Sequence, residues 1–203
     1  MIVEQGRHPG WPTELTHGDV LLRPVRRTDF AAWQEVRLRN ANWLARWEPT
    51  SPMAWPARHT RASFRWMRRQ MRRSASDGLA MPFMVFVDDV LVGQVNLGPI
   101  ARAPVHSADV GYWIDQRFAG RGIVPRAVAL VTRHALTHGQ LHRVGAVIQP
   151  HNAASLRVIR KLGFREEGLL TKYLDIDGAW RDHIGFALTR EDDRSALNAI
   201  LAY

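Results

Sequence analysis

Apolar and polar positions change period several times along the chain, and each change marks an element. Residues 20–25 form a short apolar run with Arg23 and Pro24 near its end, which predicts a strand. Thr28 or Asp29 then stands where a helix N-cap belongs. Phe30, Trp33 and Val36 follow at three-residue spacing, with Leu38 off that stripe. Asn40 to Trp47 predicts a second short helix or helical turn, and Pro49, Pro52 and Pro56 make 48–57 a loop. Over 58–75, Phe64, Met67 and Met71 lie on one helical face. Met81 to Val87 and Val90 to Leu97 flank Asp88-Asp89, a hairpin signal. Residues 105–114 read as the next strand, 126–138 as a helix with Gly139 at its C′ position, and 143–148 as a strand. Asn152 caps a helix from Ala153 to Leu162 that Gly163 stops. Phe164 to Ile176, broken near Gly168, and Trp180 to Leu188 are strands joined by Asp177-Gly178, a type I′ turn signal. A short helix at 191–200 ends the chain.

That succession predicts an α+β domain: a mixed, mostly antiparallel central sheet of about seven strands flanked by helices. Residues 1–18, rich in Gly and Pro and weakly periodic, read as an irregular N-terminal arm, with 19–203 a single domain.

Composition narrows the function classes. The 203 residues are 46% hydrophobic and 23% charged, enough to bury a core in one domain. No apolar run approaches the ~20 residues of a membrane span, and Met1-Ile2-Val3-Glu4-Gln5 does not open a signal peptide. With no cysteine, disulfides, thiolate–zinc sites and a cysteine nucleophile are excluded. A cytoplasmic protein without a metal is expected. The net charge is +9, and Lys161 and Lys172 are the only lysines among 28 basic residues. The arginine skew fits a GC-rich genome better than a chemical demand. A positive surface nevertheless favours anionic partners such as nucleotide cofactors or RNA. Arg58, Arg61, Arg65, Arg68, Arg69, Arg72 and Arg73 share the 58–73 helix with no acid among them. Three readings stand: a solvated face, an RNA or ribosome contact, or a wall of a phosphate site.

The chemistry concentrates in Arg117-Phe118-Ala119-Gly120-Arg121-Gly122-Ile123-Val124-Pro125, between a strand and a helix. Two glycines let backbone N–H groups approach a ligand, and the helix start aims unpaired N–H groups at the same point. A P-loop is excluded, because no Gly-x4-Gly-Lys-Ser/Thr run exists. A dinucleotide fingerprint needs glycine where Pro125 stands, and an acid near the next strand end, which 143–148 lacks. An anion cradle or a simple tight turn remains. Further on, Asn152 and Ser155 lie three apart at a helix start, ahead of Gly163-Phe164. Alone they are a cap and a helical serine.

Taken together, the two stretches resemble the GNAT superfamily of acetyl-CoA-dependent N-acetyltransferases. Its Gln/Arg-x-x-Gly-x-Gly/Ala motif is matched by Arg117, Gly120 and Gly122. Its Asn-x-x-Ser followed by Gly-Phe is matched by Asn152, Ser155, Gly163 and Phe164. Leu22-Arg23-Pro24 with Asp29 looks like the superfamily's usual first strand and helix cap, and Trp47-Glu48-Pro49, Pro150-His151-Asn152 and the stretch from Tyr173 to His183 look like the RimJ branch, whose members acetylate a ribosomal protein's N-terminal alanine. The similarity spans roughly residues 19–190.

The resemblance implies direct attack of an amine on the thioester of acetyl-CoA, a tetrahedral intermediate and departure of the CoA thiolate. It implies that backbone N–H groups of Phe118, Ala119, Gly120, Arg121, Gly122, Ile123 and Val124 hold the pyrophosphate. Arg117, Arg121 and Arg126 are cations within reach of phosphates, or simply solvated arginines. Val110, Tyr112 and Ile114 would offer strand groups to the pantetheine arm and the carbonyl, with the 143–148 strand splaying away to admit it. The tyrosine that many relatives place seven after the motif asparagine is Ile159 here. Ser155, which the RimL type is thought to use, is then the candidate thiolate donor, and Asn152 supports the same site. No strong base stands out, since family glutamates fall at Val147 and near Leu174. Asp109 and Glu48 are the remaining carboxylates. Trp47, Glu48, Tyr173, Asp175 and Trp180 are expected to line the acceptor groove, where Glu48, Asp175 and Asp182 either hold a cationic amine or pair with Arg46 and Arg181.

An α-amine with pKa near 7.7–8 is about a tenth neutral at pH 7, whereas a lysine at about 10.4 needs roughly 4–5 kcal/mol to deprotonate. A site without a strong base therefore suits an N-terminal amine. Two other readings stay open: a GNAT enzyme for a small amine or antibiotic, and a basic ribosome- or RNA-associated protein without turnover. The expected partners are acetyl-CoA, a protein N-terminus of ribosomal origin and rRNA through the 58–73 helix, with no membrane, the protein being a monomer or dimer.

Overall fold

A computed structural model of the chain describes residues 9–202. Eight strands form one sheet in the order β1-β2-β3-β4-β5-β6-β8-β7. They are β1 (Leu15–His17), β2 (Val20–Arg23), β3 (Met81–Val87), β4 (Val90–Leu97), β5 (Ser107–Ile114), β6 (Arg143–Ile148), β7 (Arg165–Ile176) and β8 (Ala179–Thr189). The helices are α1 (Phe30–Arg39), α2 (Ala41–Leu44), α3 (Arg61–Ser76), α4 (Ile123–Thr137), α5 (Ala153–Lys161) and α6 (Ser195–Ile200). Every neighbouring pair of strands is antiparallel except β5 and β6. No described helix is long and apolar enough to cross a membrane.

Strand alternation divides the core into two layers. In β3, Met81, Phe83, Val85 and Val87 face a cluster with Val128, Leu130 and Val131 of α4 and Ile159 of α5. Met84 and Phe86 face the opposite cluster with Trp33 and Val36 of α1 and Phe64 of α3. The apolar stripe foreseen on α3 is used as foreseen: Phe64 is buried, and Met67 and Met71 pack beside it. Thr60 caps that helix through the Ser63 N–H.

Four local readings need correction. Leu15–His17, assigned to an irregular arm, is a strand paired with β2. Trp11 stacks edge-on against Phe83 at 5.1 Å, so apolar contact holds residues 11–17 to the sheet. This eighth strand is the one the count of seven missed. Residues 1–8 of the arm lie outside the described residues. Asp29 does not cap α1 with its side chain; its carboxylate pairs with Arg23 at 2.7 Å and accepts the Arg26 N–H. Helix α4 begins three residues earlier than periodicity placed it, directly after Gly122 in the left-handed region. Gly139 is no left-handed C′ glycine, because Gln140 takes the positive φ of 56°. Glycine fits at 139 because a Cβ there would stand 2.8 Å from the Ala135 carbonyl oxygen.

Candidate functional site

The feature that opens the sheet is a change of partner along β5. Ser107, Ala108 and Asp109 pair in parallel with Arg143, Val144 and Gly145 of β6. Residues 110–114 pair only with β4, while β6 continues along β8. Beyond Asp109 the two strands diverge, and the β6-facing backbone edge of 110–114 is left for something other than the sheet. The splay of the 143–148 strand is thus present. Val110 and Ile114 bury their side chains in the α4 layer, so only their backbones face the gap. Tyr112 packs on the same layer and sends its hydroxyl across the gap to the Ser155 carbonyl, 3.3 Å away. Burial pushes the Tyr112 phenol above its ordinary range, which keeps it a donor.

At the end of β5 the chain turns through a single 3-10 turn, Gln116–Phe118, into the glycine loop. Phe118 N–H is spent on Asp115 O and Ala119 N–H on Gln116 O. The N–H groups of Gly120, Arg121, Gly122, Ile123 and Val124 have no hydrogen-bond partner among the described residues. Pro125 follows without an N–H to satisfy. Gly120 and Gly122 have φ of 79° and 73° with open space where a Cβ would sit, so glycine is required here by backbone conformation rather than room. Five consecutive donors at the start of a 15-residue helix make a positive concavity. The expected cradle is therefore narrower than 118–124.

The three arginines near the cradle are held differently. Arg117 pairs with Asp115 at 3.2 Å. Arg126 pairs with Asp19 at 2.5 Å and holds that carboxyl below its usual range. Arg121 lies over the Phe118 ring at 5.0 Å, exposed.

Asp115 was missed by sequence reading. Its side chain is buried and joins three elements. It accepts from Arg39 (2.8 Å) and Asn40 (3.0 Å) of the α1 end, and from the Arg117 N–H (3.2 Å). Burial raises its pKa, but these donors outweigh burial and hold the carboxyl below its usual range. Its own N–H reaches Val92 O at 2.7 Å, at the bulge where β4 shifts register. Asn40 returns a bond to the Gln116 N–H, and Trp43 of α2 donates to Ile114 O. The cradle is thus clamped from below. The available signal was Asp two residues before Arg117 at a strand end, an Asx-turn pattern.

Asn152 caps α5 through the Ser155 N–H at 3.1 Å, as expected. Ser155 is half-buried, and its hydroxyl lies against the Tyr112 phenol, drawing that phenol's pKa back down against the effect of burial. Asp109 lies on the opposite face of β5 from Tyr112. A Cβ on Gly145 would stand 2.1 Å from Asp109 Oδ1, so glycine on β6 makes room for this carboxylate. Loss of hydration pushes the Asp109 carboxyl upward, with Arg143 pulling the other way.

Glu48 sits in a cationic, aromatic cage. Arg37 bonds it at 2.8 Å and Arg58 at 3.4 Å. The Arg37 guanidinium lies between Trp55 (4.7 Å) and Trp113 of β5 (5.0 Å), and donates to His59. The same loop is stitched to the β7–β8 hairpin. Thr50 N–H donates to Asp175 O, Thr50 Oγ1 donates to the Asp175 carboxylate at 2.5 Å, and Asp177 N–H donates to Glu48 O. The structure therefore brings the 47–50 loop and the hairpin tip together, as the acceptor reading requires. It also answers what their carboxylates do. Glu48 pairs with Arg37 and Arg58 rather than Arg46, which lies over the Trp47 ring, and Asp182 accepts the Lys172 N–H. Trp180 (64% exposed) and Tyr173 (43%) are open on the surface, Tyr173 edge-on to His183, and Trp47 is half-buried. Among the described residues no group of His, Asp and Glu is arranged to hold a metal ion.

Comparison with known proteins agrees with this geometry. A family model described as an acetyltransferase (GNAT) domain matches residues 19–165. The structure of Mycobacterium smegmatis RimJ in complex with CoA-disulfide superposes with a TM-score of 0.92 at 40% identity, covering 96% of each chain. The [ribosomal protein uS5]-alanine N-acetyltransferase of Escherichia coli (strain K12) is 30% identical over 186 residues, 88% of this chain and 91% of that protein. The probable N-acetyltransferase YjcK of Bacillus subtilis (strain 168) is 41% identical over 106 residues, 52% of this chain and 59% of that protein.

Proposed function

The chain belongs to the GNAT acetyltransferases and is an acetyl-CoA-dependent N-acetyltransferase, and from that premise we propose that its acceptor is the N-terminal α-amine of a protein, a ribosomal protein beginning with alanine. The observation that carries the cofactor half is the run of five unpaired N–H groups at 120–124, beside a strand edge with no sheet partner. That pairing suits a molecule with a pyrophosphate at one end and an amide-bearing arm laid along β5. Acetyl-CoA supplies the activated thioester.

The chain's own residues then divide the work. The 120–124 donors neutralise the pyrophosphate, and Asp115 keeps the loop in place. Donors on the 110–114 edge polarise the thioester carbonyl as negative charge develops on its oxygen. Ser155, whose hydroxyl lies against the Tyr112 phenol, donates a proton to the departing thiolate. Asp109 is the carboxylate we assign to receive the amine proton, directly or through water, because its raised pKa brings it closer to an amine's. Glu48 is given a different part from the one sequence suggested. Held by Arg37 and Arg58, it fixes the acceptor loop against Trp113 rather than taking a proton.

The acceptor half rests on the near full-length likeness to an alanine N-acetyltransferase and to RimJ, and on the absence of a strong unpaired base among the described residues. The surface that carries Trp47, Tyr173 and Trp180 would take an extended N-terminus in the cytoplasm, where ribosomal proteins are made. The test is thiol release from acetyl-CoA against ten-residue peptides with every N-terminal residue. Alanine and serine peptides should turn over fastest. A small polyamine or aminoglycoside outpacing all peptides would overturn the assignment.

A further inference from the structure

Helix α3 carries more than its packing needs. Its apolar stripe is consumed by the α1 layer, yet Arg61, Arg65, Arg68 and Arg69 converge with Arg27 around a cavity of about 290 Å³ floored by Phe30 and Phe64. None of these five arginines has an ion pair among the described residues, whereas Arg58 and Arg73, at the ends of the patch, do. Arg61 is steadied over the Phe30 ring at 4.4 Å, leaving its N–H edge free. Arg68 Nε is buried with no hydrogen-bond partner. A buried guanidinium nitrogen without an acceptor carries an uncompensated desolvation cost, and nothing in the fold requires it. Like-charged side chains this close also repel one another. Both costs vanish when anions enter the cavity.

We propose that the face formed by Arg27, Arg61, Arg65, Arg68 and Arg69 binds the phosphate backbone of RNA. The arginines from Arg61 to Arg72 extend along about 16 Å of helix, a line of positive charge that suits successive phosphates of a strand rather than one small anion. Trp66, 64% exposed on the same helix, offers a stacking surface for a base. A lipid surface fits less well. An interfacial helix needs an apolar face to insert, and Phe64, Met67 and Met71 are already turned into the protein. The site lies outside the acetyl-transfer machinery and stands whatever the acceptor is.

The experiment is fluorescence anisotropy of a labelled single-stranded RNA of roughly 20 nucleotides against the full-length protein across a salt series. The triple variant R65Q/R68Q/R69Q should lose tenfold or more in affinity, and its slope of log affinity against log salt should fall by about 2. Trp66→Ala should weaken binding without changing that slope. Arg133→Gln, on the far face of α4, should leave both unchanged. Acetyl-CoA turnover and the melting temperature establish that the triple variant is folded; if it is not, the exposed single variants Arg65→Gln and Arg69→Gln supply the same comparison. Equal RNA binding by wild type and variants overturns the proposal. So does an equal loss on Arg133→Gln, which would mean diffuse charge. Displacement of RNA by millimolar inorganic phosphate would assign the cavity to a free anion, and binding of phosphatidylserine vesicles in place of RNA would assign it to a membrane. Either result contradicts the proposal.

Discussion

The Tyr112 hydroxyl donates to the backbone carbonyl of Ser155 at 3.3 Å, bridging the gap between the open edge of β5 and the first turn of α5. The Ser155 N–H is likewise committed, to the Asn152 side chain. The cap and the bridge are thus made by the Ser155 main chain, while its hydroxyl lies against the Tyr112 phenol. Ser155→Ala should therefore leave the cap, the bridge and the melting temperature intact. If the hydroxyl protonates the thiolate, kcat falls roughly 100-fold with KM for acetyl-CoA unchanged. An unchanged kcat removes Ser155 from the chemistry.

Asp115→Asn addresses the clamp beneath the cradle. The substitution keeps the shape but removes the charge that Arg39 and Arg117 share. Both arginines are partly solvated, which limits the loss to about 1–3 kcal/mol. The functional effect should fall on cofactor binding. KM for acetyl-CoA should rise about tenfold, with a smaller change in kcat, measured by steady-state kinetics beside thermal melting.

His59 predicts a pH dependence of stability. Burial holds its pKa at about 4, opposed by its bond to the Trp55 carbonyl. With Arg37 Nε donating to its Nε2, the ring is the neutral tautomer that donates from Nδ1. The unfolded chain takes up a proton near pH 6.5 and the folded one only near pH 4. This stability is therefore complete above pH 6.5 and is lost as pH falls through that window, by about 3 kcal/mol in total. Urea unfolding at pH 7 and pH 4.5 measures it, and His59→Gln should flatten the profile.

These predictions mark where sequence reading succeeds and stops. Asn152 with Ser155, Gly120 with Gly122, and the apolar stripe of α3 are local patterns, because caps, left-handed turns and helical faces depend on residues a few positions apart. The start of α4 was misplaced because periodicity begins to register only after Pro125, although Gly122 already launches the helix. Strand β1 escaped because three residues show no alternation, and its reason for pairing is contact with β2. The partners of Glu48 and Asp115 could not be read at all. Arg37 and Arg39 lie on α1, and only the packing of that helix against β4 and β5 decides which carboxylate each meets. The same holds for the Arg27 contribution to the α3 cavity.

The proposed reaction transfers an acetyl group to an N-terminal α-amine without the help of a strong base. The most direct measurement compares kcat/KM for two versions of one peptide: one with a free N-terminal alanine and no lysine, the other N-terminally blocked and carrying a lysine. The deprotonation costs differ by roughly 3–4 kcal/mol, so the free N-terminus should be preferred by 100-fold or more, with mass spectrometry locating the acetyl group on the alanine. Equal rates, or a preference for the blocked lysine peptide, would contradict the claim.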